Sequence, residues 1–286
     1  MLTMKAYAKI NLALDVLYKR PDGYHEVEMI MQSISLADTV CLEECDQGII
    51  VTSNIPDLAC DSGNLAYRAA ALLSDSFRLE KGVRIHLNKQ IPLAAGLAGG
   101  SSNAAAVLAG LNRLWQLNLS LPELMKLGAA LGSDVPFCLS GSTMRAHGRG
   151  ELLEPLPPMP HCYVVLAKPR VGVSTAWVYN NYRPEAVLDR PDSKKLQTAL
   201  ADGDFRGVTC CLANVLESVT IPAYPEVGRI KKLMTDCGAA ALMSGSGPTV
   251  FGLVLYEPEA VRVAEQLRRD IDADIFVAET VIPGGV

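Results

Sequence analysis

Alternating apolar and polar side chains open the chain. Over 5–17, Ala6, Ala8, Ile10, Leu12 and Leu14 fall on one face, and Tyr7, Lys9, Asn11 and Asp15 on the other. That two-residue period predicts a half-buried strand. A turn at Pro21-Asp22-Gly23 leads to a second strand over about 26–36. Asn64 caps a helix reaching about Arg78, and a short strand follows at 83–88. A glycine- and serine-rich run then feeds an alanine-rich helix, expected from about Ser101 toward Trp115. Ser120 starts a further helix, with Pro122 in its first turn and its end near Gly132.

The proline-rich stretch 154–160 marks the best domain boundary. Beyond it the pattern predicts a buried strand at 163–167, helices including one over about 225–236, and a glycine-turn hairpin around 241–255. A helix from Pro258 and a last strand at 275–281 complete it. This order argues for an α+β fold whose second half carries an antiparallel sheet. There is no internal repeat and no low-complexity tract.

Composition narrows the class. A chain of 286 residues, 49% hydrophobic and 20% charged, can bury one large core or two ordinary ones. Its apolar runs are too short and too punctuated by charge to span a bilayer, and the start shows no secretory pattern, so no membrane partner is expected. A net charge of −5 argues against nucleic acid as a partner. The eight cysteines form no CxxC pair and no zinc-ligand spacing with histidine, which leaves them as reduced, small apolar residues of a cytoplasmic protein.

The chemistry concentrates in the run from Ile91 to Ala106. Small residues let backbone approach a ligand, and the following helix start offers unpaired N–H groups and a positive dipole end. Together these make an anion site, and phosphate is the commonest anion for one. A plain turn is the alternative. No Gly-Lys-Ser/Thr closes the run, so it is not a Walker A sequence, and it has neither the GxGxxG pattern nor the later acidic residue of a dinucleotide fingerprint. Ser101 and Ser102 place hydroxyls where they can cap the helix or face a phosphate-bound Mg²⁺.

Elsewhere, Lys9 shares a strand face with Asn11, where it is either simply solvated or turned toward a phosphoryl group or carboxylate. Asp134, after a helix end in Gly132-Ser-Asp-Val-Pro, is either an ordinary cap or the group that takes a proton from an attacking hydroxyl. The cluster 243–249 offers a second clamp, with Ser246 and backbone N–H groups facing the ligand. Tyr24, His25 and Tyr179 could sandwich a planar base and read its edge.

Lys9-Ile-Asn-Leu12, Pro92-Leu-Ala-Ala-Gly-Leu-Ala-Gly-Gly-Ser-Ser102 and Gly245-Ser-Gly-Pro248 together resemble the three motifs of the GHMP kinase family. Arg20-Pro-Asp-Gly-Tyr-His-Glu26 and Gly132-Ser-Asp-Val-Pro-Phe137 extend the likeness toward a branch whose substrate is a cytidine diphosphate-linked polyol. The resemblance implies a two-domain fold. A ribosomal-protein-S5-domain-2-like N-terminal domain (1–155) would bind ATP and catalyse, and a ferredoxin-like C-terminal domain (156–286) would bind substrate. It implies ATP and Mg²⁺ as cofactors and a monomer or homodimer. Lys9 and Asp134 would be catalytic. Pro92, Ala95, Gly96, Leu97, Ala98, Gly99, Gly100, Ser101 and Ser102 would cradle ATP. Asn11, Tyr24, His25, Tyr179, Ser244, Gly245, Ser246 and Gly247 would hold the substrate.

Two positions depart from the family pattern. Ala98 replaces a glycine, so φ there is expected to stay negative. Asn103 replaces an aspartate, so no protein metal ligand is assigned, and Mg²⁺ would rely on phosphate oxygens, water and a serine hydroxyl. The alternatives are another small-molecule kinase of the homoserine or mevalonate type, or a catalytically silent nucleotide sensor.

Overall fold

The computed structural model describes residues 1–282. Two long strands, β1 (Leu2–Lys19) and β2 (His25–Cys45), form an antiparallel hairpin across the Pro21–Gly23 turn. β3 (Ile49–Ser53), α1 (Leu65–Phe77), β4 (Gly82–Asn88), α2 (Gly99–Leu114), α3 (Leu121–Leu131), α4 (Val135–Ser140), β5 (Thr143–His147) and β6 (Leu152–Pro155) follow. After the proline-rich link come β7 (Tyr163–Pro169), α5 (Thr175–Asn181), α6 (Ser193–Ala201), α7 (Phe205–Cys210), β8 (Ala213–Asn214) and α8 (Glu217–Ala223). The last elements are α9 (Pro225–Asp236), β9 (Ala240–Met243), β10 (Val250–Val254), α10 (Glu257–Asp270) and β11 (Ala273–Glu279).

A seven-stranded sheet runs β3-β4-β2-β1-β8, with β5 paired to β2 and β6 paired to β5. A four-stranded antiparallel sheet runs β11-β7-β10-β9. Against the second sheet, α9 buries Val227, Ile230 and Met234, and α10 buries Ala260, Val263, Ala264 and Leu267. Both sets follow the three-and-four spacing of an amphipathic helix. β8, from the second half of the chain, pairs in parallel with β1 in the first sheet, and an isolated bridge between Ile34 and Thr280 links β2 to the residue after β11.

β1 differs from its predicted alternation in an instructive way. Register shifts interrupt its pairing with β2 between Tyr7 and Lys9, between Asn11 and Ala13, and between Val16 and Tyr18. Each bulge rotates the strand, so its apolar residues feed three separate cores. Met4 and Ala6 pack under α1 and α2, Ala8, Ile10 and Leu12 pack with β7 and β10, and Leu14 and Val16 join Met29, Met31 and Phe137. Leu14 therefore does not share a face with Ile10 and Leu12, contrary to the expectation of uniform alternation. Lys9 and Asn11 lie between two bulges, in register with Ser33 and Met31.

The second correction concerns the glycine-rich run. α2 begins at Gly99, with Ala98 as its N-cap in the left-handed region at φ 59°. A negative φ was expected for an alanine there. Leu97, just before it, is buried, and α2 packs against Leu42 of β2 at Gly110. Ser102 does not cap the helix. It is buried in the first turn, and its hydroxyl donates to the Gly99 carbonyl at 3.1 Å.

Candidate active site

Residues from both halves of the chain line a cavity of about 850 Å³. Its floor is set by β1. Lys9 Nζ donates to Asn11 Oδ1 at 2.7 Å and stands 3.8 Å from Asp134 Oδ2. The two charges differ in setting, because the Lys9 side chain is 5% exposed while that of Asp134 is 31% exposed and faces the cavity. Asp134 occupies the N-cap position of α4, yet its carboxylate makes no capping hydrogen bond. Its oxygens are left for the lysine and for whatever enters. A buried ammonium beside a cavity-facing carboxylate can hold that carboxylate in place and attract an anion to the same point.

The glycine-rich run supplies one wall. Pro92, Ala95, Gly96, Ala98, Gly99, Gly100 and Ser101 line the cavity, whereas Leu97 and Ser102 stand behind it. α2 has no side-chain cap and no acidic residue in its first turn, so its N–H groups and dipole face the cavity uncompensated. The second glycine cluster interlocks with the first. Ser244 Oγ donates to the Gly96 carbonyl at 3.1 Å, and a Cβ on Gly96 (φ +73°) would collide with the Ser244 carbonyl. Only glycine satisfies both the positive φ and the close approach at that position.

Asn214 Nδ2 donates to the carbonyls of Met243 and Gly245, both at 2.8 Å, which fixes this loop over Lys9. Gly245 and Ser246 line the cavity, while Ser244, Gly247 and Asn11 support it from behind. The Ser246 and Thr175 hydroxyls lie 2.9 Å apart, tying the loop to α5.

The opposite end is aromatic. His25 and Tyr179 meet with ring centroids 5.4 Å apart at a 34° tilt. Tyr24 is 55% exposed and lies under the Arg149 guanidinium, 4.9 Å from its centroid. All four line the cavity, but Tyr24 and Tyr179 do not form a preassembled sandwich. Burial, followed by the charge of Lys19, holds the His25 pKa below its ordinary 6.5. The neutral imidazole therefore has one donor and one acceptor nitrogen at neutral pH. Burial and then the nearby Asp134 charge push the Tyr179 phenol up, so it stays protonated.

Two charged residues of the cavity carry no signal in the sequence. Arg149 follows a strand end with no motif around it, and Lys89 precedes the glycine-rich run where nothing marks it apart from a solvated lysine. All eight cysteines are free, and burial pushes the Cys162 thiol up to about 12. Among the described residues no helix is long and apolar enough to cross a membrane, and no group of three His, Cys, Asp or Glu could hold a metal ion.

Comparison with known proteins agrees with this geometry. The family description "GHMP kinases N terminal domain" matches residues 64–142, and "GHMP kinases C terminal" matches 195–273. A 4-diphosphocytidyl-2-C-methyl-D-erythritol kinase from Geobacillus kaustophilus is 55% identical over 273 residues, covering 93% of each chain. The crystal structure of a 4-(cytidine 5'-diphospho)-2C-methyl-D-erythritol kinase superposes with a TM-score of 0.82 at 37% identity, over 97% of this chain and 99% of that one. A homoserine kinase structure from Cytophaga hutchinsonii, at 20% identity and TM-score 0.75 over 98% and 95%, shares the fold. Fold and site together define an ATP-dependent small-molecule kinase. The chain belongs to the GHMP kinase family.

Proposed function

We propose that this kinase transfers the γ-phosphate of ATP to the C2 hydroxyl of 4-diphosphocytidyl-2-C-methyl-D-erythritol, a step of isoprenoid precursor synthesis. The observation that carries the reading is a single cavity joining a helix-start anion site at one end to an imidazole–phenol pair at the other. The Lys9–Asp134 pair stands on its wall. Relatives of that name that match nearly the whole chain support the choice of acceptor.

In this reading the loop from Pro92 to Ser101 cradles the phosphates of ATP, with the α2 N-terminus facing their charge. Asp134 takes the proton of the C2 hydroxyl while its oxygen attacks the γ-phosphorus. The bond to the β-phosphate oxygen breaks and ADP leaves. Lys9 holds Asp134 in line and offsets charge on the transferring group. The neutral His25 imidazole reads the cytosine edge, Tyr179 and Tyr24 offer ring faces, and Arg149 attracts the acceptor diphosphate.

The donor set suits Mg²⁺ bound through phosphate. The Ser101 hydroxyl lines the cavity near Gly132, at the start of the Asp134 turn. Ser101 would hold the ion with phosphate oxygens and water, which leaves Asp134 to act as the base. When bound, it neutralises charge between the β- and γ-phosphates.

Phosphorus and carbon NMR of the product tests the assignment. One new phosphomonoester coupled to C2 of the methylerythritol unit is expected, and phosphorylation at another hydroxyl would contradict it.

A further inference from the structure

The glycine-rich run is anchored from beneath by a buried charge cluster that no motif announces. Asp38, on β2, is fully buried, and both of its carboxylate oxygens are saturated. Oδ1 accepts the backbone N–H groups of Gln90 at 2.6 Å and Ile91 at 2.8 Å, where the run begins. Oδ2 accepts Lys89 Nζ and, at 2.8 Å, Asn103 Nδ2 in the first turns of α2. Lys89 Nζ donates in turn to Asn103 Oδ1 at 2.8 Å, which closes a three-residue ring. One carboxylate thus grips both ends of the loop that wraps the cavity.

A buried ion pair adds little net stability compared with apolar packing of the same volume. What it does supply is position. The pair is neutral as a unit, so attraction for an anion is left to the N–H groups of α2. The Lys89 ammonium lies beside Gly99 at the cavity, but Asp38 and Asn103 hold it, so it is not a mobile counter-ion.

We infer that Asp38, acting through Lys89 and Asn103, is a positioning residue for the nucleotide-phosphate loop. It fixes the α2 N-terminus at the height where its N–H groups meet phosphate oxygens. The inference rests on the reading of 92–101 as the ATP loop, and misplacement of such donors by about 1 Å is enough to weaken the site by an order of magnitude or more.

The test is calorimetric binding of the ATP analogue AMP-PNP with Mg²⁺ and, separately, of CDP. Asp38→Asn keeps an acceptor for the two backbone N–H groups but removes the charge that orders Lys89 and Asn103. It is expected to weaken AMP-PNP binding about tenfold while CDP binding stays within about twofold. Asn103→Ser removes only the tie to α2 and leaves no charge unpaired, so it serves if the first variant does not fold. The same split is expected, at a smaller size.

A folded variant of either kind with lowered Tm but unchanged AMP-PNP binding would overturn the positioning role. Gly100→Leu separates this from failure of the loop reading, because a Cβ at Gly100 meets only Leu65, at 3.5 Å, and a longer side chain there would fill the cavity wall. If Gly100→Leu blocks AMP-PNP while the other variants bind normally, only the positioning role falls. If it binds AMP-PNP unchanged, the nucleotide lies elsewhere and both readings fall.

Discussion

Asp134 is singled out by what its side chain does not do. A carboxylate at an N-cap position ordinarily accepts a hydrogen bond from the helix start, worth about 1 kcal/mol. Here that bond is not made, and the carboxylate turns to Lys9 and the cavity instead. Asp134→Asn should therefore fold normally and bind ATP with little change, while kcat falls by roughly 10²–10⁴. Equal turnover by that variant would remove the base assignment.

His25 carries the second residue-scale prediction. Loss of one imidazole hydrogen bond, about 1.4 kcal/mol, should raise KM for the cytidine-bearing acceptor about tenfold in His25→Ala and leave KM for ATP unchanged. Parallel rises in both constants would instead report a disturbed fold. The same residue sets a pH dependence. Its folded pKa lies below the ordinary 6.5, so the unfolded chain binds the proton first. Stability should be fully present above about pH 6.5 and decline as pH falls through the lowered pKa. His25→Gln should flatten that part of a urea-denaturation pH profile, and an unaltered slope would show that other groups cause it.

Among the elements, α2 and the loop before it show how a departure from a motif is tolerated. Ala98 holds φ 59°, which costs an L-residue roughly 1–2 kcal/mol. Glycine would remove that strain but lose more chain entropy on folding, so a net gain of about 0.5–1 kcal/mol is expected for Ala98→Gly. Differential scanning calorimetry should show Tm higher by about 1–4 °C, and a fall would mean that the Ala98 methyl packs better than its backbone suffers. Capping and periodicity made most elements legible in the sequence. The helix start at Ser120 with Pro122 in its first turn, the Asn64 cap and the helices over 225–236 and from Pro258 are local signals, and the structure bears them out. Bulges are not local signals. Alternation along β1 gave the strand, but the rotation that sends Leu14 to a different core depends on pairing with β2, which no single segment encodes. Lys9, Asn11 and the glycine loops could be read because their residue types are unusual for their elements. Asp38, Lys89 and Arg149 could not, since each looks like a solvated charge until the chain folds around it.

At the scale of the whole molecule, the cavity exists only because the two halves of the chain meet. We place the domain division at 155/156, in the link between β6 and β7, and residues 283–286 of the second half lie outside the described residues. The Ser244–Gly96 hydrogen bond, the β8–β1 pairing and the Ile34–Thr280 bridge hold the halves together. The glycine-rich backbone lining the cavity comes mainly from the first half, Tyr179 comes from the second, and Lys9 and Asp134 line the same cavity. We propose that this arrangement selects a cytidine diphosphate-linked polyol as phosphoryl acceptor. The direct measurement is ADP release from ATP and Mg²⁺ by the purified protein, comparing 4-diphosphocytidyl-2-C-methyl-D-erythritol with homoserine, mevalonate and galactose. Turnover confined to the cytidine compound is the predicted result. Turnover of another acceptor in its place, or none with any of the four while ATP binds, would contradict the account.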